Sequence, residues 1–203
     1  MRLAGWPASL RRGRVGLRPL GRGDARIWRE VRARNRAWLA PWEATLPPGV
    51  ERAQQSFRAM TREVDRQARA GRTLPFATTW DDRFVGQVTV SSITWGSSRS
   101  ASIGYWIDRA LAGRAITPLA VAMAIDHCFG TVGLHRIEVA VRHENVASLR
   151  VVDKLGLRQV GEAQRYLHID GEWRDHLLFA ITREDVPAGM VARLEASSYP
   201  SQT

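Results

Sequence analysis

Residues 102–120 read S-I-G-Y-W-I-D-R-A-L-A-G-R-A-I-T-P-L-A, and this stretch decides the fold. A strand over Ser100 to Asp108 runs into a short loop. A mostly apolar segment, Ala115 to Phe129, then has the length of a buried helix. Gly113 lets the backbone approach a ligand closely, and Ala115 is small enough not to block it. Pro118 is tolerated in a first helical turn. The N–H groups of such a turn point one way and carry partial positive charge, so they form a phosphate cradle. Arg114 adds a full charge. Alone, G-R-A after a strand is a weak signal, because tight turns before helices share its composition.

On the N-terminal side, Val15 to Arg18 is a short strand. Asp24 then caps a helix whose apolar positions Ile27, Trp28 and Val31 fall at helical spacing. A loop with Pro41, Pro47, Pro48 and Gly49 breaks regular structure, and a second helix spans Glu51 to Ala70. Leu74 to Trp80 and Phe84 to Ser92 form a hairpin around a turn of the type D-D-R. On the C-terminal side, Arg136 to Arg142 alternates as a strand, and Ala147 to Leu155 is a helix stopped by Gly156. Gln159 to Ile169 and Trp173 to Thr182 form a last hairpin around Asp170 and Gly171. The order β-α-α-β-β-β-α-β-α-β-β predicts an α/β (α+β) fold with a mixed sheet covered by helices. The expected layout is a flexible basic lead over 1–13, one domain over 14–187, and a peripheral tail over 188–203.

Composition bounds the function class. The chain has 203 residues, the length of one domain of ordinary size. No run is long enough for a transmembrane helix, and the first residues have no apolar core of a secretory signal. Cys128 is the only cysteine, which excludes an intrachain disulfide and suits the cytoplasm. Lying in the apolar helix, it reads as core and not as a nucleophile. The net charge is +10, and Lys154 is the only lysine. Attraction to polyanions and a plain arginine-rich surface explain that charge equally well, since the arginines are spread along the chain.

The G-R-A turn has company. Residues 110–115, A-L-A-G-R-A, resemble the cofactor motif Gln/Arg-x-x-Gly-x-Gly/Ala of the GNAT acetyltransferases, with Ala110 departing at its first position. Residues 134–157, L-H-R-I-E-V-A-V-R-H-E-N-V-A-S-L-R-V-V-D-K-L-G-L, and 165–176, R-Y-L-H-I-D-G-E-W-R-D-H, resemble the RimJ/RimL-like branch, which acetylates protein N-termini. The resemblance covers about residues 15–186. It implies a GNAT fold whose central sheet splays into a V between Ser100–Asp108 and Arg136–Arg142, with a bulge in the first strand. It implies acetyl-CoA as cosubstrate, with no metal. The pantetheine arm would lie beside Tyr105 to Ile107 and the pyrophosphate on the amides of Ala112, Gly113, Arg114, Ala115, Ile116 and Thr117. Asn145, Ser148 and Lys154 would flank it.

An amine attacking a thioester needs an oxyanion donor, a base and a proton for the leaving sulfur. The resemblance implies Trp106 or Ile107 N–H as the donor and Ser148 as the group that assists the thiolate. As plain sequence, Asn145 and Ser148 also fit helix-start caps. Relatives carry a Glu before the cradle, but residues 101–105 here, A-S-I-G-Y, hold no carboxylate. Glu43, His168, Asp175 and His176 are the remaining candidate bases. Without a strong base, an α-amine with a pKa near ~8 is an easier acceptor than a lysine near ~10.4. Trp38 and Trp42, with Tyr166 and His168 of the last hairpin, are the expected acceptor-binding residues. The spacing of His168, Asp170, Asp175 and His176 matches no standard zinc pattern. The expected partner is a protein or peptide N-terminus, those of ribosomal proteins included. Neither a membrane nor a specific nucleic acid is expected, and the assembly would be a monomer or homodimer. The rival functions are acetylation of a small-molecule amine, and a non-catalytic RNA- or ribosome-binding module on the same scaffold.

Overall fold

The structure, a computed structural model, describes residues 5–50 and 56–198. Eight strands make one sheet: β1 (Leu10–Arg12), β2 (Val15–Pro19), β3 (Leu74–Trp80), β4 (Arg83–Thr94), β5 (Ser100–Ile107), β6 (Arg136–Val141), β7 (Arg158–Ile169) and β8 (Glu172–Thr182). Their order is β1-β2-β3-β4-β5-β6-β8-β7, and only β5 and β6 run parallel. Six α-helices accompany them among the described residues: α1 (Ala25–Arg34), α2 (Arg36–Leu39), α3 (Phe57–Arg69), α4 (Ile116–His127), α5 (Val146–Lys154) and α6 (Met190–Ser198).

The hairpin turns follow from their residues. Asp81 and Asp82 both take positive φ between β3 and β4, and Asp170 and Gly171 do the same between β7 and β8. That is the geometry two-residue loops need to match strand twist, and Asp and Gly tolerate it. α4 is apolar nearly all round, and Ile116, Val121, Met123 and Ile125 are buried with three alanines between them. The small alanines let the helix lie close to the sheet. Each large side chain so buried contributes about 1.5–3 kcal/mol.

The central feature is a parting of strands. β5 pairs with β6 only through Ser100↔Arg136, Ala101↔Ile137 and Ser102↔Glu138, although β5 continues to Ile107 and β6 to Val141. Each arm of the resulting V is held by its outer neighbour instead: β5 by β4 as far as Gly86↔Ile107, and β6 by β8 as far as Val141↔Leu177. Gly86 permits the first of these pairings, since a Cβ there would stand 2.3 Å from Trp106 O. The bulge expected in β5 lies in its partner. The β4–β5 register shifts between Ser91 and Thr94, with the extra residue on β4 and Ser92 at φ 51°.

Four further expectations change. The lead over 1–13 is not all flexible: β1 pairs with β2, and Trp6 packs edge-on against Phe76 at 5.2 Å. Residues 1–4 of it lie outside the described residues. As far as Ser198 the tail after 187 is not peripheral, because α6 buries Met190 and Leu194 in the core; residues 199–203 lie outside the described residues. Asp126 on α4 receives the Met190 and Val191 N–H groups at the start of α6, at 2.5 and 3.0 Å. Asp24 does not cap α1 with its side chain. Its buried carboxylate takes the Gly21 N–H at 2.8 Å and pairs with Arg18. The second expected helix begins at Phe57, with the Ser56 hydroxyl capping Ala59 N–H, and residues 51–55 lie outside the described residues.

Candidate active site

A cavity of about 730 Å³ is lined by Tyr105 to Ile107 of the β5 arm and by residues of α5, the helix that follows the β6 arm. One end is walled by the turn leading into α4 and by the start of α5. The other end is walled by the last residues of α2, Trp38 and Leu39, and by the strap that follows it, with Trp42 and Glu43 on it.

At the first end, Gly113 has φ 81° and Ala115 has φ 57°. A left-handed Ala costs of order 1 kcal/mol and persists only when its surroundings hold it. A Cβ placed on Gly113 would meet nothing within 4 Å, so open space lies over the turn. The N–H groups of Gly113, Arg114, Ala115, Ile116 and Thr117 have no acceptor among the described residues. Unsatisfied amides at a helix start, under open space, make an anion cradle. Asp108 holds the approach to it. Its buried carboxylate takes Ala110 N–H at 3.3 Å, Asn35 Nδ2 at 2.9 Å and Arg34 Nε at 3.1 Å. Burial pushes its pKa up, but the hydrogen bonds from Arg34, Asn35 and Ala110 outweigh this and keep it below the usual range.

Ala112, Gly113, Ala115, Ile116 and Thr117 all line the cavity, and so do Tyr105, Trp106, Ile107, Asn145, Ser148 and Lys154. Arg114 does not; it contributes at most its amide and its nearby charge. Asn145 is a cap, since its side-chain oxygen accepts the Ser148 N–H at 3.0 Å. Ser148 is not the cap of α5, a role that Asn145 fills, and its side chain lies against the Tyr105 hydroxyl. The Tyr105 hydroxyl donates to the Ser148 carbonyl at 3.4 Å, across the V, and burial raises its pKa so that it stays protonated.

The ladder separates the two expected oxyanion donors. Asp108 N–H donates to Val85 O at 2.8 Å. By the alternation of an antiparallel pair, Trp106 N–H also faces β4, while Tyr105 and Ile107 N–H face the open edge. Trp106 N–H is thereby committed to β4 and its indole joins the wall, while Ile107 N–H is left facing the open edge.

At the second end each aromatic stands against an arginine. Arg109 lies 5.7 Å from the Trp38 ring, and Arg142 lies 5.4 Å from that of Trp42. Arg142 Nη1 also donates to Pro41 O at 2.8 Å. Arg32 pairs with Glu43 and lies 5.4 Å over Trp106. The strap continues into the β7–β8 hairpin. Thr45 N–H donates to His168 O at 2.9 Å, Asp170 N–H donates to Glu43 O at 3.1 Å, and Ala44 bridges to Ile169.

Tyr166 and His168 do not line the cavity. His168 is buried, 2.8 Å from Thr45 Oγ1 through Nδ1, and it braces the strap from behind. Tyr166 packs edge-on against His176. The candidate bases sort the same way. Asp175 accepts Arg165 N–H at 2.6 Å, and His176 is buried near Arg174 O, with its pKa lowered by burial. Glu43 alone of the four lines the cavity. Cys128 is buried, and burial pushes its thiol up to about 12. Among the described residues no group of His, Cys, Asp or Glu is placed to hold a metal ion.

The sequence of residues 14–158 matches the family described as "Acetyltransferase (GNAT) domain". The chain belongs to the GNAT acetyltransferases. It is an N-acetyltransferase. It is 30% identical over 172 residues to the "[Ribosomal protein uS5]-alanine N-acetyltransferase" of Escherichia coli (strain K12), covering 82% of this chain and 87% of that protein. The "Probable N-acetyltransferase YjcK" of Bacillus subtilis (strain 168) is 39% identical, but over only 52% of this chain and 58% of its own length. The solved Mycobacterium smegmatis RimJ in complex with CoA-disulfide superposes with a TM-score of 0.90 at 42% identity, covering 98% of each chain. The ribosomal-protein-S5-alanine acetyltransferase of Vibrio fischeri superposes with a TM-score of 0.77 at 28% identity, covering 88% of this chain and 98% of that one.

Arg32, Leu39 and Arg150 line the cavity without having been singled out from the sequence. For Arg32 a faint signal exists: it follows Trp28 by one helical turn and so shares its face.

Proposed function

We propose that this chain transfers an acetyl group from acetyl-CoA to the N-terminal α-amine of a protein, with a ribosomal protein as the leading acceptor, in the cytoplasm. The observation that carries the reading is a single cavity with a backbone anion cradle at one end and an aromatic strap at the other. The names of the E. coli and V. fischeri relatives support an alanine α-amine on a ribosomal protein, and the M. smegmatis RimJ complex supports CoA as the donor's carrier. No helix among the described residues is long and apolar enough to cross a membrane.

The residues fit the cosubstrate. The amides of Gly113 to Thr117 would hold pyrophosphate, and the open edge at Tyr105 and Ile107 would pair with pantetheine. The acceptor amine attacks the thioester carbonyl while Ile107 N–H holds the developing oxyanion. As the C–S bond breaks, the Ser148 hydroxyl donates a hydrogen bond to the sulfur, and the proton shed by the amide nitrogen ends there. The strap orients the first acceptor residue, so that small residues such as Ala or Ser set specificity.

Thiol release from acetyl-CoA tests this. Peptides with a free Ala or Ser terminus should react well. N-terminally blocked peptides carrying lysine, and polyamines, should react at least about 10-fold more slowly, in line with the higher pKa of their amines. Ready turnover of polyamines with none of free peptides would replace the peptide acceptor by a small molecule.

A further inference from the structure

Glu43 is the one acidic side chain on the cavity wall. It lies on the strap, between Trp42 and the bridge of Ala44 to Ile169. Its backbone is fixed, because Glu43 N–H donates to Ala40 O at 3.2 Å and Glu43 O accepts from Asp170 N–H. Its carboxylate pairs with Arg32, whose guanidinium stands over the Trp106 ring of β5. Through that pairing the carboxylate sits on the β5 side of the V, beside the strand whose Ile107 N–H faces the open edge. A carboxylate among Trp38, Trp42 and Trp106 is the chemistry that receives an ammonium group: negative charge to pair with it and π faces to surround it.

We propose that Glu43 receives the acceptor's ammonium group and takes its proton, and that Arg32 is the positioning residue that holds it. This rests on the acetyl transfer to an α-amine proposed above. One proton passes from the ammonium to the Glu43 carboxylate and on to solvent, leaving a free amine. The amine nitrogen then bonds to the acetyl carbon as the C–S bond breaks. The second proton of that nitrogen ends on the sulfur, so the products are amide, thiol and one released proton. The charged and titratable groups around the strap are Arg32 from α1, Arg109 beside Trp38, Arg142 just after β6 with Glu144 paired to it, and His168 and Asp170 from the β7–β8 hairpin.

The test compares wild type, Glu43→Gln and Glu43→Asp with an Ala-terminated peptide from pH 6.5 to 9, after matching melting temperatures. At pH 6.5 Glu43→Gln should lose about 100-fold in kcat/KM for the peptide, the scale of a lost acid–base group. The loss should shrink to about 10-fold or less by pH 9, where the α-amine (pKa near ~8) is already free. Glu43→Asp should recover part of the rate, and the KM for acetyl-CoA should stay put. A loss of the same size at every pH, or none, overturns the assignment. So does a loss confined to the KM for acetyl-CoA. If wild type itself acetylates no free terminus, the function proposed above fails first, and this assignment with it.

Discussion

The two ends of the cavity are built differently. At the turn into α4 the machinery is backbone: amides of Gly113 to Thr117, fixed by two left-handed residues and by Asp108 behind them. At the strap it is side chains: Trp38, Trp42 and Glu43, each set against an arginine from elsewhere in the chain. Any residue but proline supplies an N–H, so a backbone site is written in conformation and in one contiguous motif. A side-chain site is written in contacts between distant segments. The first end suits a constant group such as pyrophosphate, and the second suits a group that differs between acceptors.

The sharpest break between the ends comes from Gly113→Glu. It adds negative charge beneath the anion site and forces a side chain into φ 81°. Affinity for acetyl-CoA, read by calorimetry on folded protein, should fall by more than about 100-fold, given the loss of an anion site and the strain together. Next in size, Trp42→Ala should raise the KM for peptide about 10-fold, the effect of losing one aromatic anchor, and leave acetyl-CoA affinity within about 2-fold. If both affinities moved together, the ends would not be separable.

The ends also differ in how far the sequence revealed them. The G-R-A turn, Tyr105, Asn145, Ser148 and Lys154 were all found in the motifs, and all but Arg114 line the cavity. The order of strands and helices along the chain was equally legible, because strand and helix periodicity are local, whereas the V was implied only by the family resemblance. What the sequence hid is long-range. Nothing in residues 1–13 announces that Trp6 meets Phe76, nor does the tail announce that Met190 is buried. His168 sits close in sequence to Trp173 and Tyr166, which made the hairpin tip look like a pocket. The pairing of Thr45 with His168, 123 residues apart, turns that side chain to the strap instead. The pairing of Arg32 with Glu43 spans two elements and has no motif.

Ser148→Ala sharpens the comparison at its boundary. It should lower kcat about 10-fold with little change in acetyl-CoA affinity, the pattern of an interaction made mainly in the transition state. A fall in acetyl-CoA affinity alone would make Ser148 part of the cradle. Asp108→Asn is the smallest of the set and acts on stability, by about 1–3 kcal/mol at neutral pH, the cost of weakening charge-assisted hydrogen bonds. Asp108 has its pKa depressed in the folded state. Its contribution is therefore full above the unfolded value near ~3.9 and is lost as pH falls through the folded value. The gap in urea midpoint between wild type and Asp108→Asn should be present at pH 7 and close at low pH; a gap that widened on acidification would refute the role given to this carboxylate.

The most direct measurement uses one peptide that carries both a free N-terminal alanine and an internal lysine. It is incubated with acetyl-CoA and the enzyme at neutral pH, and the modified nitrogen is mapped by fragmentation mass spectrometry. The account predicts a single acetyl group on the α-nitrogen of the alanine. An acetyl group on the lysine side chain, or an unmodified peptide from an enzyme that acetylates polyamines, would contradict it.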